Sequence, residues 1–298
     1  MRKIKFLIPI VTLFIVMFSC NDDDDNGIII IPPLERSDEV IVAKEEVEEY
    51  LETHFYNYEE FANPPIGFNY TIRFDTISEE NSSKIPLMSQ VSFKMVTDLI
   101  DESVIYKLYY LNVRQGGGER AEFSDLVTLS YEGSILKDNI TFSSHTGSGS
   151  PGIGAVFIPS GLGYYNTPPI GSIIEFYDQL IFTFQLYSNE KSDQDFDTIL
   201  SSFEDLNNNK NELDDDTDGD GIPNFADGDD DNDGRLTKFE VMAKEYELSP
   251  GEPDPVFEEN EIEMQRKINS ETGVVTLYTV VFKDENNDGV PDYLDSEI

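Results

Sequence analysis

The chain has 298 residues, a hydrophobic fraction of 39% and a formal net charge of −40, from 60 acidic and 20 basic side chains. This charge argues against nucleic acid as a partner, because binding a phosphate backbone requires a positive face. The 20 Phe and 15 Tyr residues predict packed cores rather than a disordered acidic polymer. One cysteine and two histidines rule out an intrachain disulfide and a Cys/His zinc cluster.

Residues 1–19 have the pattern of an export signal. A basic start precedes an apolar run at 6–18, which is shorter than the roughly 20 residues of a membrane span. The run ends at Ser19 and Cys20, and this junction resembles the lipobox of bacterial lipoproteins. The resemblance implies cleavage before Cys20, lipidation of that residue and anchoring to the outer membrane of the cell envelope. Residues 20–36 then form an acidic tether, whose aspartates at 22–25 either signal surface exposure or only keep the tether solvated.

Residues 37–103 are expected to form an N-terminal helix followed by strands. Ser37 or Asp38 is a suitable helix cap. Apolar residues then recur at three- and four-residue spacing, which predicts an amphipathic helix with one packed face. The residues of that face are Val40, Ala43, Val47, Leu51 and Phe55. Alternating apolar residues at 70–74, 91–97 and 104–111 predict antiparallel strands.

Four short motifs occur in a fixed order in the middle of the chain. They are VTLSYEG at 127–133, TFSS at 141–144, IPSGLGYY at 158–165 and LIFTFQL at 180–186. In this order they resemble the FKBP-type peptidyl-prolyl cis-trans isomerases. The resemblance covers residues 104–188 and implies an FKBP-like antiparallel sheet in an α+β fold.

The resemblance also implies a substrate site for proline-containing polypeptides and no cofactor for catalysis. A dry aromatic pocket lowers the barrier to rotation about an X-Pro bond by binding the twisted amide better than the planar one. The implied pocket has walls, a rim and one phenol donor. The walls are Tyr131, Phe142 and Phe182, the rim is Ile173 and Ile174, and the donor is Tyr164.

The middle of the FKBP-like region is shortened. Residues 145–157 stand where the family has a much longer segment with the helix that forms the pocket floor, and the chain has no tryptophan. Ser143 replaces the aspartate that follows the phenylalanine in the family. We therefore expect a folding-assisting isomerase with weak or no turnover. The alternative is a non-catalytic calcium-binding surface lipoprotein whose FKBP-like domain serves peptide binding or adhesion.

Residues 189–240 contain acidic repeats that match a twelve-residue calcium loop. Residues 229–240 have carboxylates at positions 1, 3 and 5, glycine at 6 and glutamate at 12, and residues 216–227 and 284–295 repeat the spacing. Adjacent loops of this kind resemble thrombospondin type 3 repeats, which implies structural calcium; the alternative is a solvated acidic linker. The predicted ligands are Asp216, Asp218, Asp220, Asp227, Asp229, Asp231, Asp233, Thr237, Glu240, Asp284, Asn286, Asp288 and Asp295. A weaker copy without glycine begins at Asp205.

Residues 241–298 are expected to contain a C-terminal strand at 272–282 and the last calcium loop. A short helix is predicted at 238–246, directly after the second loop. The whole chain is thus predicted to be an α+β protein with an N-terminal helix, a shortened FKBP-like sheet, calcium loops and a small C-terminal segment.

Overall fold

The computed structural model describes residues 34–118, 120–137 and 152–298, and the strand backbone of residues 141–145. The predicted signal sequence, most of the tether and Cys20 lie outside this part of the chain. Residues 35–298 form one compact unit. None of the helices in the described ranges is long and apolar enough to cross a membrane.

Helix α1 spans Arg36–Thr53 and begins before the two residues that were expected to cap it. The backbone amides of Asp38 and Glu39 already donate to the carbonyl of Glu35, at 3.0 Å each, so Glu35 takes the N-cap position. The predicted apolar face is largely confirmed, because Ala43, Val47 and Leu51 are buried together with Tyr50. Phe55 is also buried but belongs to strand β1.

A small two-stranded sheet and a short helix follow α1. Strand β1 (His54–Tyr56) pairs with β2 (Phe74–Thr76), and helix α2 covers Tyr58–Ala62 between them. The prediction of a strand at 70–74 is wrong except for its last residue. Tyr70 has a φ of +58°, a left-handed conformation that a strand does not contain.

The central element is a six-stranded antiparallel sheet with the order β3-β4-β7-β8-β5-β6. Its strands are β3 (Ser92–Thr97), β4 (Ile105–Arg114), β5 (Leu126–Ile135), β6 (Thr141–His145), β7 (Gly152–Ile158) and β8 (Leu180–Glu190). Strand β3 is hydrogen-bonded to β4, so the sheet extends across the boundary predicted at residue 104. The strands that carry the four motifs are therefore neighbours in one sheet.

The two faces of this sheet have different surroundings. Phe157 pairs with Ile181, and both pack with residues of α1 in the main hydrophobic core. The next pair, Ile158 and Leu180, points to the other face because side chains alternate along a strand. Helix α1 thus covers one face, and the second face carries the side chains of the FKBP-like motifs.

The C-terminal part forms a three-stranded antiparallel sheet with the order β10-β11-β9. Its strands are β9 (Val241–Leu248), β10 (Glu261–Ile268) and β11 (Val275–Phe282). Strand β11 confirms the predicted C-terminal strand. The helix predicted at 238–246 is wrong, because this segment pairs along the full length of β11 and that tertiary pairing overrides its helix-favouring composition.

A second hydrophobic core joins the acidic loops to this small sheet. It contains Ile199 from the segment after β8, Val241, Met264 and Val280 from the three strands, and Tyr293 from the last loop. The acidic repeats are therefore packed against a folded element and do not form a separate extended arm.

Candidate functional site

Two implied pocket residues meet on the sheet face opposite α1. The rings of Tyr131 on β5 and Phe182 on β8 have centroids 6.1 Å apart, with planes tilted by 38°. Tyr131 is 37% exposed, and Phe182 is partly buried. We call this surface the aromatic face, and define it by Tyr110, Tyr131, Ile135, Ile158, Leu180, Phe182 and Phe184.

One end of the aromatic face is covered by the loop between β7 and β8. Ile174 from this loop is buried against Ile135 and Leu180, and Phe182 packs against the same cluster. Its neighbour Ile173 is about half exposed, which fits a residue on a rim. The structure thus brings Tyr131, Phe182 and Ile174 together at one end of the face.

The implied donor and the third wall residue are placed differently. Tyr164 is exposed, and its backbone carbonyl accepts hydrogen bonds from the amide and hydroxyl of Thr167. The adjacent Tyr165 is buried and lies under the Arg36 guanidinium, 4.2 Å from the ring centroid. Phe142 lies on β6, but its side chain is outside the described atoms.

A cavity of about 610 Å³ lies at the other end of the aromatic face. Its walls include Tyr110, Gly154 and Phe184 from three adjacent strands, and residues 115–118 of the loop after β4. The Phe184 ring lies over Gly154, where an added Cβ would come within 2.8 Å of the ring. Glycine at this position therefore leaves space for the aromatic side chain next to the cavity.

The acidic loops share one backbone geometry. The glycines at position 6, namely Gly221, Gly234 and Gly289, have φ values of +96°, +96° and +95°. Such values are open to glycine at little cost, as predicted from the spacing. Position 4 is also left-handed in all three loops, where Gly219, Asn232 and Asn287 have φ values of +77°, +56° and +60°.

The loop at 229–240 gathers its carboxylates at one point. Oxygen atoms of Asp229, Asp231 and Asp233 lie within 4.8 Å of one another. Glu240 is 1% exposed and neither carboxylate oxygen has a hydrogen-bond partner among the described residues, while the Arg235 guanidinium is 3.8 Å away. Burial, together with Asp231 and Asp233, raises the pKa of Glu240 to about 7. A cation at the loop centre would stabilise the ionised form of Glu240, because this carboxylate is buried beside other carboxylates.

The loop at 216–227 has the same arrangement. Asp216, Asp218 and Asp220 also place oxygen atoms within 4.8 Å of one another. Burial, and then the charges of Asp220 and Asp218, raise the pKa of Asp227 at position 12. Three of the four predicted ligands of this loop are therefore brought together.

The last loop, at 284–295, is closed by hydrogen bonds from its own backbone amides and side chains. Asp284 accepts the backbone amides of Asp288 and Gly289, at 3.2 and 3.0 Å. The Asn286 amide donates to Asp295 at 2.8 Å, which links positions 3 and 12 directly. Asn286 and Asp295, two of the four predicted ligands of this loop, are thus in direct contact.

The side chain at position 9 accepts a hydrogen bond within its own loop, whereas Thr237 at this position was predicted to bind calcium. The Thr237 hydroxyl is fully buried and accepts the backbone amide of Asp230 at 3.3 Å. Asn224 and Asp292 occupy the same position in the other loops, where they accept the amides of Thr217 and Glu285. In each loop, the side chain at position 9 therefore links to the backbone amide at position 2 by a hydrogen bond.

A further loop of the same form lies at 193–204 and was not predicted from the sequence. Asp193, Asp195, Asp197 and Glu204 occupy positions 1, 3, 5 and 12, but position 6 is Thr198 in place of glycine. Thr198 nevertheless has a φ of +97°, the value found at the glycines of the other loops. The carboxylate spacing alone was the signal that would have identified this loop.

The donor set of these loops fits calcium. Carboxylate and amide oxygens are the ligands that Ca²⁺ prefers, and it accepts six to eight of them. Buried carboxylates without partners are costly unless a cation neutralises them. The residues present can therefore hold the ion that the repeats imply.

Comparisons with known proteins give one partial family match. A family model described as BamM C-terminal matches residues 194–266. This range contains all but the first residue of the loop at 193–204, two further acidic loops, strand β9 and most of strand β10. No curated protein matches the chain.

Two solved structures are similar to this chain at low identity and low TM-score. A peptidyl-prolyl cis-trans isomerase from Pseudomonas syringae pv. tomato str. DC3000 has a TM-score of 0.30 and 14% identity, covering 54% of this chain and 100% of that one. FkpA from Escherichia coli has a TM-score of 0.26 and 16% identity, covering 52% of this chain and 64% of FkpA. At these TM-scores the two structures carry no argument about function.

Proposed function

We propose that the chain binds extended, proline-containing polypeptides on the aromatic face of its six-stranded sheet and assists the folding of exported proteins. The observation that carries the proposal is the pairing of Tyr131 with Phe182 on a face that α1 leaves uncovered. Exposed aromatic rings on a rigid sheet bind apolar peptide side chains and proline rings at low entropic cost. The cavity beside Phe184 extends this surface.

Isomerase turnover on this face is proposed to be weak. Catalysis requires tighter binding of the twisted amide than of the planar amide, and this needs an enclosed, dry pocket with a positioned donor. Helix α1 packs on the opposite face and so does not stand in for the floor helix of the FKBP family. Tyr164, the implied donor, is exposed outside the Ile174 cluster.

The proposal also includes structural calcium and a lipid anchor. The acidic loops would bind calcium in a structural role, supported by the buried, unpartnered oxygens of Glu240. Lipidation of Cys20 would tether the chain to the outer membrane. The partial match to the BamM C-terminal family supports an outer-membrane association.

Exchange NMR on a proline-containing peptide tests binding and isomerisation in one spectrum. The full chain with Cys20→Ser, which prevents lipidation, is mixed with the peptide in millimolar calcium. We expect the peptide resonances to broaden, and Tyr131→Ala to reduce the broadening. Phe93→Ala is the matched control, because Phe93 is an exposed aromatic residue of the same sheet that lies next to Tyr109 on the side of α1.

The peptide spectra distinguish peptide binding from isomerase catalysis. Broadening without cis/trans exchange peaks, lost in Tyr131→Ala and kept in Phe93→Ala, supports peptide binding with little turnover. Strong exchange peaks would show that the open face catalyses isomerisation and would overturn the proposal of weak turnover. Unchanged peptide spectra would overturn the proposed peptide binding altogether.

A further inference from the structure

Four acidic side chains converge in a buried position beside the second hydrophobic core. Asp195, Asp197 and Glu204 come from the loop at 193–204, and Asp230 comes from the loop at 229–240. Asp197, Glu204 and Asp230 are at most 1% exposed. Acidic clusters are common on protein surfaces, where water solvates their charges. Buried carboxylates lack this solvation and need a nearby positive charge to offset its loss.

The cluster has six carboxylate oxygens without a hydrogen-bond partner in the described structure. These are both oxygens of Glu204, both of Asp230 and one each of Asp195 and Asp197. Buried polar atoms are nearly always satisfied in folded proteins, so six unpartnered oxygens in one place require an explanation. Burial, and then the charges of Asp197 and Asp195, raise the pKa of both Glu204 and Asp230.

The spacing of these oxygens matches the size of a calcium ion. One oxygen from each of the four residues lies within 4.8 Å of the others. Ligands on opposite sides of Ca²⁺, at about 2.3 to 2.6 Å each, are separated by roughly 5 Å. Magnesium keeps several of its waters and is seldom held by an all-protein cage, so an enclosed set of carboxylates favours calcium.

Asp230 is the residue that sets this cluster apart from the predicted loop sites. It occupies position 2 of the loop at 229–240, a position that the twelve-residue calcium loop does not use for ligation. Its neighbours Asp229 and Asp231 belong to the group with Asp233 at the centre of that loop. Asp230 instead joins Glu204, across 26 residues of chain.

We propose that Asp195, Asp197, Glu204 and Asp230 form a calcium site that ties the segment after β8 to the loop before β9. Each of the four residues contributes a carboxylate oxygen to the site. This ion is separate from those of the loops at 216–227, 229–240 and 284–295. Because Ile199 lies in the same loop and packs in the second hydrophobic core, the ion also fixes that core in place.

Counting bound calcium by native mass spectrometry tests the proposal on the full chain with Cys20→Ser. Glu204→Gln and Asp230→Asn keep the side-chain size and are each expected to lose one ion per chain. Asp231→Asn is expected to lose the ion of the loop at 229–240. The double variant Glu204→Gln/Asp231→Asn then loses two, whereas an equal loss in the single and double variants would overturn a separate site. Glu271→Gln changes an exposed acid and is expected to bind as many ions as the parent chain.

Thermal unfolding gives a second readout that does not depend on full occupancy. In chelator, Glu204→Gln removes a buried charge with no counterion and is expected to raise the melting temperature. In calcium, the same variant loses a ligand and is expected to lower it. This reversal of sign marks a cation site. A variant that lowers the melting temperature equally in both conditions, with an unchanged ion count, would overturn the proposal.

Discussion

Thr198 holds a backbone conformation that β-branched residues seldom adopt. Its φ of +97° equals that of the glycines at the same loop position, and Phe196 at position 4 is also left-handed, at +65°. The Asp193 carboxylate accepts the amides of Phe196 and Thr198, at 2.7 and 3.1 Å, and this supports the turn. The loop therefore keeps its shape at the cost of local strain.

Replacing Thr198 by glycine is expected to stabilise the protein. The change removes backbone strain, and the gain exceeds the extra entropy of glycine in the unfolded chain, so the free energy of unfolding should rise by about 1 kcal/mol. The reverse change at an equivalent position, Gly234→Thr, should lower it by about 1 to 3 kcal/mol. Urea denaturation in calcium measures both. A less stable Thr198→Gly variant would contradict the assignment of strain to residue 198.

Tyr106 on β4 and Gly161 in the loop after β7 form a tight contact. A Cβ on Gly161 would lie 2.1 Å from the Tyr106 hydroxyl, which is buried and has no hydrogen-bond partner in the described structure. Burial raises the pKa of Tyr106 to about 12. The hydroxyl thus occupies the space that only a glycine leaves open.

A double-mutant cycle tests this contact. Gly161→Ala should destabilise the protein by about 1 to 3 kcal/mol through steric overlap. Tyr106→Phe removes an unsatisfied hydroxyl and should be neutral or stabilising by up to about 1 kcal/mol. In the double variant, the loss caused by Gly161→Ala should become smaller. Additive effects in denaturant titrations would show that the two residues do not contact each other.

At the scale of elements, Glu261 links the three strands of the C-terminal sheet. It begins β10 and accepts hydrogen bonds from Thr279 on β11 at 2.6 Å, and from Tyr246 and Lys244 on β9 at 2.8 and 3.0 Å. Burial would raise its pKa, but these bonds and the Glu258 amide outweigh burial and lower the pKa to about 2. The folded sheet therefore favours the ionised carboxylate.

The lowered pKa predicts a pH-dependent contribution to stability. For a carboxyl group whose pKa falls on folding, the stabilisation is present above the ordinary value of 4.5 and is lost as the pH falls toward 2. Glu261→Gln should therefore lower the melting temperature at pH 6, and the difference from the parent chain should shrink between pH 4.5 and 2. Glu271→Gln serves as the exposed control. A constant difference across this range would refute the role of the ionised carboxylate.

For the whole molecule, the net charge of −40 predicts that compactness depends on cations. The acidic loops pack against the second core through residues such as Tyr293. Without cations, like charges in these loops repel each other and favour expansion. The proposed calcium binding is therefore expected to make the shape of the molecule depend on this ion.

Small-angle X-ray scattering with and without chelator measures this coupling. The radius of gyration is expected to increase in chelator and to return on adding excess calcium. Sodium chloride at equal ionic strength is the control, because screening alone acts on exposed charges and not on buried ligand sets. An identical radius in chelator and calcium would contradict a structural role for the loops.

Parts of the fold and the site follow from local sequence. The apolar spacing of Ala43, Val47 and Leu51 predicted the packed helix face, and the glycines at loop position 6 predicted their positive φ values. These features depend on a few neighbouring residues, whose side-chain period and backbone freedom are visible in the sequence itself.

Other features were decided only by tertiary structure. Residues 241–248 form a strand because β11 pairs with them, and α1 leaves the aromatic face open because it packs on the opposite face. Asp230 joins Glu204 although its loop position gives no sign of ligation. Each of these outcomes depends on which distant segments become neighbours, because burial and the loss of water around a charge arise only after the chain has packed.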